Sequence, residues 1–173
     1  AGYDVTLTDV NADALEEAVK IIGTNLDRQV SREKIAQNDR DAAMQRIRTT
    51  STLIELGPSD LIIEAATERE DVKHAIFAEL LPALKPETIL TSNTSSISIT
   101  RLASRTDRPE KFMGFHFMNP VPVMQLVELI RGIATDEPTY DACRSVVDRL
   151  EKTAATAEDF PAFIVNRILM PMI

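Results

Sequence analysis

The sequence has few of the residues that build disulfide and metal scaffolds. Its 173 residues include one cysteine, Cys143, and two histidines, His74 and His116, which lie far apart. Disulfides need paired cysteines, and zinc sites need clustered cysteine and histidine ligands, so we predict neither a disulfide nor a metal site. A single unpaired cysteine fits a reducing compartment, and we expect a cytoplasmic protein.

Long hydrophobic runs and an excess of basic charge are also missing. No apolar run approaches the roughly 20 residues needed to span a bilayer, and the sequence shows no basic-then-apolar leader. Acidic residues outnumber basic ones by 27 to 19, which gives a net charge of −8. Because nucleic-acid binding needs a clustered basic face, we expect neither a nucleic acid nor a membrane as a partner.

Segments typical of strands and helices alternate along most of the chain. Strand-like patterns occur at residues 5–10, 60–66, 88–91, 112–117, 126–130 and 153–157. The alternation predicts an α/β fold of the Rossmann type, a doubly wound sheet whose ligand lies at the carboxyl ends of the strands. The continuous apolar run at 60–66 predicts burial on both faces of that strand.

Helical patterns fill the segments between these strands. Asn11 is expected to cap a helix that continues as a charged pattern to Arg48, with a break near Asn38. This pattern predicts two antiparallel helices that form a hairpin insertion. Further helices are predicted at residues 50–56, 70–84, 97–103 and 139–150. Near the end, residues 164–170 resemble the start of an apolar helix, so we predict domains at 1–160 and 161–173, the second being the beginning of an α-helical domain.

Asp9 ends the first predicted strand, where a dinucleotide-binding fold carries an acid for the ribose hydroxyls. The preceding glycine-rich turn is missing, since the chain has only five widely separated glycines. A turn or helix-capping aspartate explains Asp9 equally well. Because the chain starts without methionine directly before this strand, we expect N-terminal truncation, with the first strand and the glycine turn missing. We therefore expect residues 1–173 alone to be inactive, to bind a dinucleotide negligibly and to aggregate.

His116 and Glu128 are the candidates for acid–base chemistry. His116 ends an apolar strand and precedes Asn119-Pro120, a dipeptide that favours a turn. Glu128 lies on the next predicted strand. If these strands pair, Glu128 can accept the second imidazole N–H and orient His116 as a base. A buried structural histidine and a surface glutamate are the alternative.

Short polar side chains occupy residues 92–96, directly after a predicted buried strand. They suit hydrogen bonding to a ligand hydroxyl or capping of the next helix, and Ser96 is expected to be the cap. Lys73 follows Glu68 by about one helical turn. It could therefore meet a cofactor ribose or form an ion pair within the helix.

Three segments carry a resemblance to a known family. They read TSNTSS at residues 91–96, GFHFMNPVPVMQLVE at 114–128 and FIVNR at 163–167. In this order they resemble the L-3-hydroxyacyl-CoA dehydrogenases, and the bacterial 3-hydroxybutyryl-CoA dehydrogenases among them, across the whole chain. The sequence departs from the family pattern at Ala162, where glycine is usual, and in lacking the glycine turn and most of the helical domain.

The resemblance implies an oxidoreductase that interconverts (S)-3-hydroxyacyl-CoA and 3-oxoacyl-CoA by hydride transfer to NAD, with 3-hydroxybutyryl-CoA as the expected substrate. It implies that His116 removes the 3-hydroxyl proton and that Glu128 orients it. Ser95 and Asn166 would hold the reacting oxygen, and Asn119 would position substrate and nicotinamide. Fatty-acid β-oxidation, butyrate or polyhydroxybutyrate metabolism is the implied setting.

The resemblance also implies contacts to the cofactor and to coenzyme A. Asp9 would bind the adenosine ribose, where its charge favours NAD over NADP. Glu68 and Lys73 would face the cofactor, together with Ser95 and Asn119. The hairpin at residues 18–48 resembles an arm over the coenzyme A moiety, with candidate phosphate contacts at Arg28, Arg32 and Lys34. A homodimer would form through the helical domain that begins at 161.

Two other functions stay open from the sequence. One is a related dehydrogenase of a free hydroxy acid, and the other is a non-catalytic relative kept for binding or structure, as in the lens crystallins that resemble this family. Intact Ser95, His116 and Glu128 favour catalysis. The basic residues of the hairpin favour an acyl-CoA substrate.

Overall fold

The computed structural model describes residues 1–172 and shows two compact units, Ala1–Leu56 and Gly57–Ile173. The expected boundary between residues 160 and 161 is a different division, and it stays a prediction. Within the described residues, no helix is long and apolar enough to cross a membrane.

The first unit consists of two short parallel strands and a helical hairpin. Strand β1 (Val5–Thr8) leads into helix α1 (Ala12–Ser31), which is followed by α2 (Gln37–Gln45) and β2 (Ile47–Thr50). The side chain of Asn11 accepts a hydrogen bond from Asp13 N, so the predicted cap of α1 is confirmed. Strands β1 and β2 pair in parallel, with Val5 opposite Ile47.

The hairpin helices are antiparallel, as predicted, but their bounds differ from the prediction. Arg40 of α2 binds Asp27 of α1 at 2.8 Å, and Met44 lies next to Gly23, so the two helices run in opposite directions. The break lies between Ser31 and Gln37 rather than at Asn38, which belongs to α2. The helical prediction for residues 47 and 48 is wrong, because they extend along β1 as part of β2.

The second unit carries a five-stranded sheet with helices between its strands. Its elements are β3 (Leu61–Glu64), α3 (Glu70–Leu80), β4 (Ile89–Ser92), α4 (Ile99–Ala103), β5 (Phe112–Phe117), β6 (Leu126–Arg131), α5 (Glu137–Arg149), β7 (Thr153–Glu158) and α6 (Val165–Leu169). The strand order is β3-β4-β5-β6-β7. The β5–β6 pair is antiparallel and the other pairs are parallel. The α/β prediction is confirmed, with a mixed sheet.

Strands β5 and β6 form the centre of the core and are covered on both faces. Met113, Phe115, Val127 and Leu129 are fully buried and cluster with Cys143 of α5. Side chains alternate along a strand, so the neighbouring residues face the opposite side. There Gly114 allows a close approach, since an added Cβ would lie only 2.8 Å from Ile130 Cβ. Helix α4 packs on this second face.

One burial prediction is wrong. Strand β3 lies at the edge of the five-stranded sheet, where it pairs with β4. Ile62 is buried, but Ile63 on the other face is 43% exposed. The continuous apolar run at 60–66 therefore does not correspond to burial on both faces in this structure.

Candidate active site

His116 and Glu128 face each other across the antiparallel β5–β6 pair. They are direct partners in the strand register. His116 Nδ1 lies 2.8 Å from Glu128 Oε2. His116 is 8% exposed and Glu128 is fully buried. The structure thus brings together the two residues that the sequence could only place on neighbouring strands.

The second oxygen of Glu128 is held by the backbone that leads into α6. Glu128 Oε1 accepts hydrogen bonds from Ile164 N at 3.0 Å and from Val165 N at 2.8 Å. Burial raises the pKa of Glu128, but the hydrogen bonds from His116 and these two amides outweigh it, so the pKa lies below its ordinary value. Glu128 is therefore an ionised acceptor at neutral pH.

An ionised carboxylate can only accept hydrogen bonds, and this determines the tautomer of His116. Nδ1 must be the donor to Glu128, so the neutral imidazole carries its lone pair on Nε2. Nε2 is the nitrogen available to take a proton. The arrangement matches the pairing of a general base with an orienting carboxylate.

Ser95 and Asn166 also lie together, although they are far apart in the sequence. Asn166 of α6 donates from Nδ2 to the carbonyl oxygen of Ser95 at 3.1 Å. The backbone just before Asn166 also binds Glu128, because Val165 N is one of its two amide donors. The start of α6 therefore links the loop after β4 to the His116–Glu128 pair.

Glu68 organises the loop at residues 94–96. Its Oε1 accepts from Ser95 N at 2.9 Å, from Ser96 N at 3.0 Å and from Ser96 Oγ at 2.8 Å, and Thr94 Oγ1 also donates to it. Burial raises the pKa of Glu68, but the hydrogen bonds from this loop outweigh it and lower the pKa. Ser96 is bound to Glu68 and does not cap α4, so that prediction is wrong. Ser98 is the cap.

Lys73 lies in a buried ion pair rather than at the surface. It is 1% exposed. Its Nζ lies 2.8 Å from Oε1 and 2.7 Å from Oε2 of Glu64, at the end of β3. The ion pair expected within the helix is therefore replaced by one between α3 and β3. A direct contact of Lys73 with the cofactor stays a prediction.

The sequence reasoning missed Glu64, and it included Asn93 only in the polar run at residues 92–96, without its contact to β5. Glu64 accepts from Ser92 Oγ at 2.6 Å and from Ala66 N at 2.7 Å, besides binding Lys73. Asn93 Oδ1 accepts from Phe117 N at 2.9 Å, which joins the ends of β4 and β5. The sequence does contain a signal for Glu64, which is a single acidic residue within an apolar strand. A glutamate is rarely buried without a partner, so this position predicts a polar contact.

The remaining predicted contacts are exposed. Asn119 lies just beyond the end of β5, in the second unit. In the first unit, Asp9 follows β1 and accepts from Asn11 N at 2.9 Å. Arg28 lines a shallow 150 Å³ cavity on α1, and Arg32 and Lys34 lie in the exposed turn that follows α1. The structure leaves all of these side chains accessible to a ligand.

The polar groups at the strand ends fit parts of a dinucleotide. An exposed carboxylate after a parallel strand, as at Asp9, suits the two hydroxyls of a ribose. In the second unit, taken by itself, the hydroxyl and amide groups of Ser95 and Asn119 suit a ribose and a carboxamide. The five glycines of the chain are too far apart to form a turn that would cradle a pyrophosphate.

The chain matches the family model "3-hydroxyacyl-CoA dehydrogenase, NAD binding domain" over residues 1–160. The chain belongs to the 3-hydroxyacyl-CoA dehydrogenase family. The predicted cofactor, NAD, is confirmed at the level of this family. The resemblance read from the three motifs is confirmed as well.

Named relatives of the family cover the whole chain. The 3-hydroxybutyryl-CoA dehydrogenase of Bradyrhizobium diazoefficiens is 57% identical over all 173 residues, which cover 59% of that protein. A probable 3-hydroxybutyryl-CoA dehydrogenase of Bacillus subtilis is 42% identical over the same length, or 60% of that protein. The chain thus spans about three fifths of these relatives.

The fold agrees with solved structures of the family. The (S)-3-hydroxybutyryl-CoA dehydrogenase of Ralstonia eutropha superposes with a TM-score of 0.94 at 41% identity, over 98% of this chain and 60% of that one. The 3-hydroxybutyryl-CoA dehydrogenase of Escherichia coli K12 also gives 0.94, at 39% identity, over 97% of this chain and 36% of that one.

Proposed function

We propose that this chain carries the catalytic base of an NAD-dependent 3-hydroxyacyl-CoA dehydrogenase, with 3-hydroxybutyryl-CoA as substrate. The 2.8 Å contact between His116 and a fully buried, ionised Glu128 is the observation that carries the proposal. Family membership and the names of the relatives support the substrate class.

His116 is the base of the proposed reaction. Its Nε2 takes the proton of the substrate 3-hydroxyl group. The hydrogen on C3, the carbon that bears this hydroxyl, leaves as a hydride, and the C–O bond becomes a carbonyl. NAD, when bound, accepts that hydride. Proton and hydride leave the substrate together, so the two-electron oxidation balances. A positioned general base contributes about 10²–10⁴-fold to such a step.

Glu128 serves the reaction through His116. It fixes the tautomer that leaves Nε2 free, and its negative charge stabilises the imidazolium formed after proton transfer. The two amide donors, Ile164 N and Val165 N, hold the carboxylate in place. Glu128 is therefore a positioning residue in this proposal.

Ser95 and Asn166 would bind the reacting oxygen of the substrate. They are already neighbours, because Asn166 Nδ2 donates to Ser95 O. Asn119 would position substrate and nicotinamide, and Glu68 and Lys73 would face the cofactor. Asp9 would bind the adenosine ribose.

The remaining parts of the proposal concern coenzyme A and assembly. Exposed Arg28, Arg32 and Lys34 would contact the phosphates of coenzyme A. A homodimer and a cytoplasmic location are proposed as well. The single cysteine of the chain, Cys143, is buried and free, which supports a reducing compartment.

Turnover by the intact protein that contains this chain tests the proposal. (S)-3-Hydroxybutyryl-CoA, free 3-hydroxybutyrate and L-gulonate would each be offered with NAD or NADP, and NADH or NADPH formation followed. Oxidation of the CoA ester with NAD is expected. Turnover of a free acid alone would assign the protein to the hydroxy-acid dehydrogenases, and cofactor binding without any turnover would indicate a non-catalytic relative.

A further inference from the structure

Helix α5 ends in a turn that directs Lys152 toward the connection between β5 and β6. Lys152 N donates to Val147 O at 3.1 Å, and Glu151 N donates to Asp148 O at 3.0 Å. Glu151, the residue just before Lys152, adopts a left-handed conformation with φ of 56°. Such a residue ends a helix and reverses the chain, which fixes the direction of the residue that follows.

The ammonium group of Lys152 binds two carbonyl oxygens of this connection. Residues 118–125, the β5–β6 loop, join β5, which carries His116, to β6, which carries Glu128. Lys152 Nζ donates to Val121 O at 2.8 Å and to Met124 O at 2.7 Å. Hydrogen bonds from a charged donor contribute about twice as much as neutral ones, so this contact is a strong polar link between the end of α5 and the loop.

Packing contributes little to the order of this loop. Residues 119–125 are all exposed. Inside the loop, Val123 N and Met124 N both donate to Pro120 O, at 2.9 and 3.0 Å. This turn begins immediately after Asn119, so Asn119 connects β5 to the segment that the ammonium group of Lys152 binds.

We propose that Lys152 is a positioning residue for the reaction. Its two hydrogen bonds to Val121 O and Met124 O, called the clasp from here on, hold the β5–β6 loop and thereby place Asn119 beside the substrate and the nicotinamide. The role of Asn119 rests on the proposed function. The clasp itself rests on the two carbonyl contacts of Lys152 and is tested separately.

Lys152→Met removes the charge and keeps most of the length of the side chain. Lys111→Met is the matched control, because Lys111 Nζ also donates to a carbonyl, that of Pro86, at 2.7 Å. That contact lies just before β4 and β5, at the end of β5 opposite to the β5–β6 loop. We expect Lys152→Met to lower kcat of the intact protein about tenfold, as small misplacements of a positioning group do, and Lys111→Met to leave kcat unchanged.

Hydrogen exchange tests the clasp without any enzymatic assay. The amides of Val123 and Met124 should exchange faster in Lys152→Met than in the wild type, and at the wild-type rate in Lys111→Met. Unchanged protection in Lys152→Met overturns the clasp, whether or not the protein oxidises a CoA ester. Faster exchange with unchanged kcat overturns the positioning role. An inactive wild type refutes the proposed function, and with it the role in catalysis, while the exchange result still decides the clasp.

Chemical rescue separates a missing ammonium from general damage. Lys152→Cys would be treated with 2-bromoethylamine, which attaches an aminoethyl group to sulfur and restores a side chain close to lysine. Cys143 does not compete, because burial raises the pKa of its thiol to about 12. Treated wild type is the control for other cysteines. Recovery of kcat and of amide protection is expected, and failure to recover either one overturns the proposal.

Discussion

Glu128 lies directly opposite His116 in the β5–β6 register, and its carboxylate binds the imidazole with one oxygen and the backbone amides at the start of α6 with the other. One carboxylate thus connects the proposed base to the segment that carries Asn166. Loss of either residue of the pair should remove the same catalytic contribution.

The first prediction concerns this pair. His116→Gln should lower kcat of the intact protein about 10²–10⁴-fold, because the base is lost, while NADH affinity changes little. Glu128→Gln should also be impaired. The double variant should be little worse than His116→Gln, because the two residues act as a unit. Steady-state kinetics and NADH titration provide the measurements.

His74→Gln is the matched control for the first prediction. His74 is the other histidine of the chain and lies on α3, where Nε2 is 3.3 Å from Glu70. Its substitution should leave kcat unchanged. Additive losses at His116 and Glu128 would mean that the two residues have independent roles, and wild-type turnover by His116→Gln would remove it from the mechanism.

The second prediction concerns the buried pair of Lys73 and Glu64. Lys73→Met should lower the free energy of unfolding by about 3–5 kcal/mol, because it leaves the Glu64 carboxylate buried without its cation. Denaturant titration provides the measurement. If this variant does not fold, the double variant Glu64→Gln/Lys73→Met should, because glutamine removes the uncompensated charge.

Lys85→Met is the control for the buried pair. Lys85 binds Asp60, but its side chain is 41% exposed and that of Asp60 is 96% exposed. Exposed ion pairs contribute about 0–1 kcal/mol, so the change should be small. Equal losses in Lys73→Met and Lys85→Met would show that burial of the Glu64 pair has no energetic consequence.

Much of this fold was predictable, because continuous apolar runs identify the central strands. The expected 112–117 agrees with β5 (Phe112–Phe117), and 126–130 lies within β6 (Leu126–Arg131). Strand β2 was missed because Ile47-Arg48-Thr49-Thr50 is short and continues a charged pattern. Its pairing with β1 depends on a partner about 40 residues away, which local periodicity does not report.

The site was predictable as a set of residues but not as a network. Spacing suggested that His116 and Glu128 could meet, and the register shows that they do. The role of Glu64 depends on Lys73 and Ser92, which reach it from two other elements. Such contacts form only once strands and helices have packed, so no local pattern in the sequence contains them.

The third prediction concerns stability in acid. Asp159 accepts hydrogen bonds from Ser98 Oγ, Ile99 N and Thr100 N, at the start of α4. Burial raises the pKa of Asp159, but these hydrogen bonds outweigh it and lower the pKa. The carboxylate therefore stabilises the fold above the unfolded-state pKa, about 3.9, and this contribution is lost as the pH falls through the lower folded-state value.

Asp159→Ala should accordingly lower the free energy of unfolding by about 1–2 kcal/mol at pH 7, because the N–H groups at the start of α4 lose an acceptor equivalent to a second cap. The difference from the wild type should shrink as the pH is lowered below about 3.9. Urea titrations at several pH values measure it. Asp141→Ala, at an exposed position of α5, is the control and should change stability little. A difference that grows in acid would contradict the prediction.

The fourth prediction concerns Ala162, which lies in the turn between β7 and α6. Its φ is 65° and that of Phe163 is 50°, so two successive residues adopt the left-handed conformation that favours glycine. The turn ends at the amides of Ile164 and Val165, which bind Glu128. The backbone therefore carries local strain where it supports the orienting carboxylate.

Ala162→Gly should raise the free energy of unfolding by about 0.5–1 kcal/mol. Relief of the left-handed alanine contributes about 1–2 kcal/mol, and the greater freedom of glycine in the unfolded chain offsets about 0.4–1 kcal/mol of it. Ala142→Gly in the middle of α5 is the matched control and should lower stability by about 1 kcal/mol, because the backbone there is helical. Denaturant titration of both variants measures the difference. If the two substitutions destabilise equally, the turn at Ala162 is not left-handed in solution, and its support of Glu128 would require a different backbone geometry.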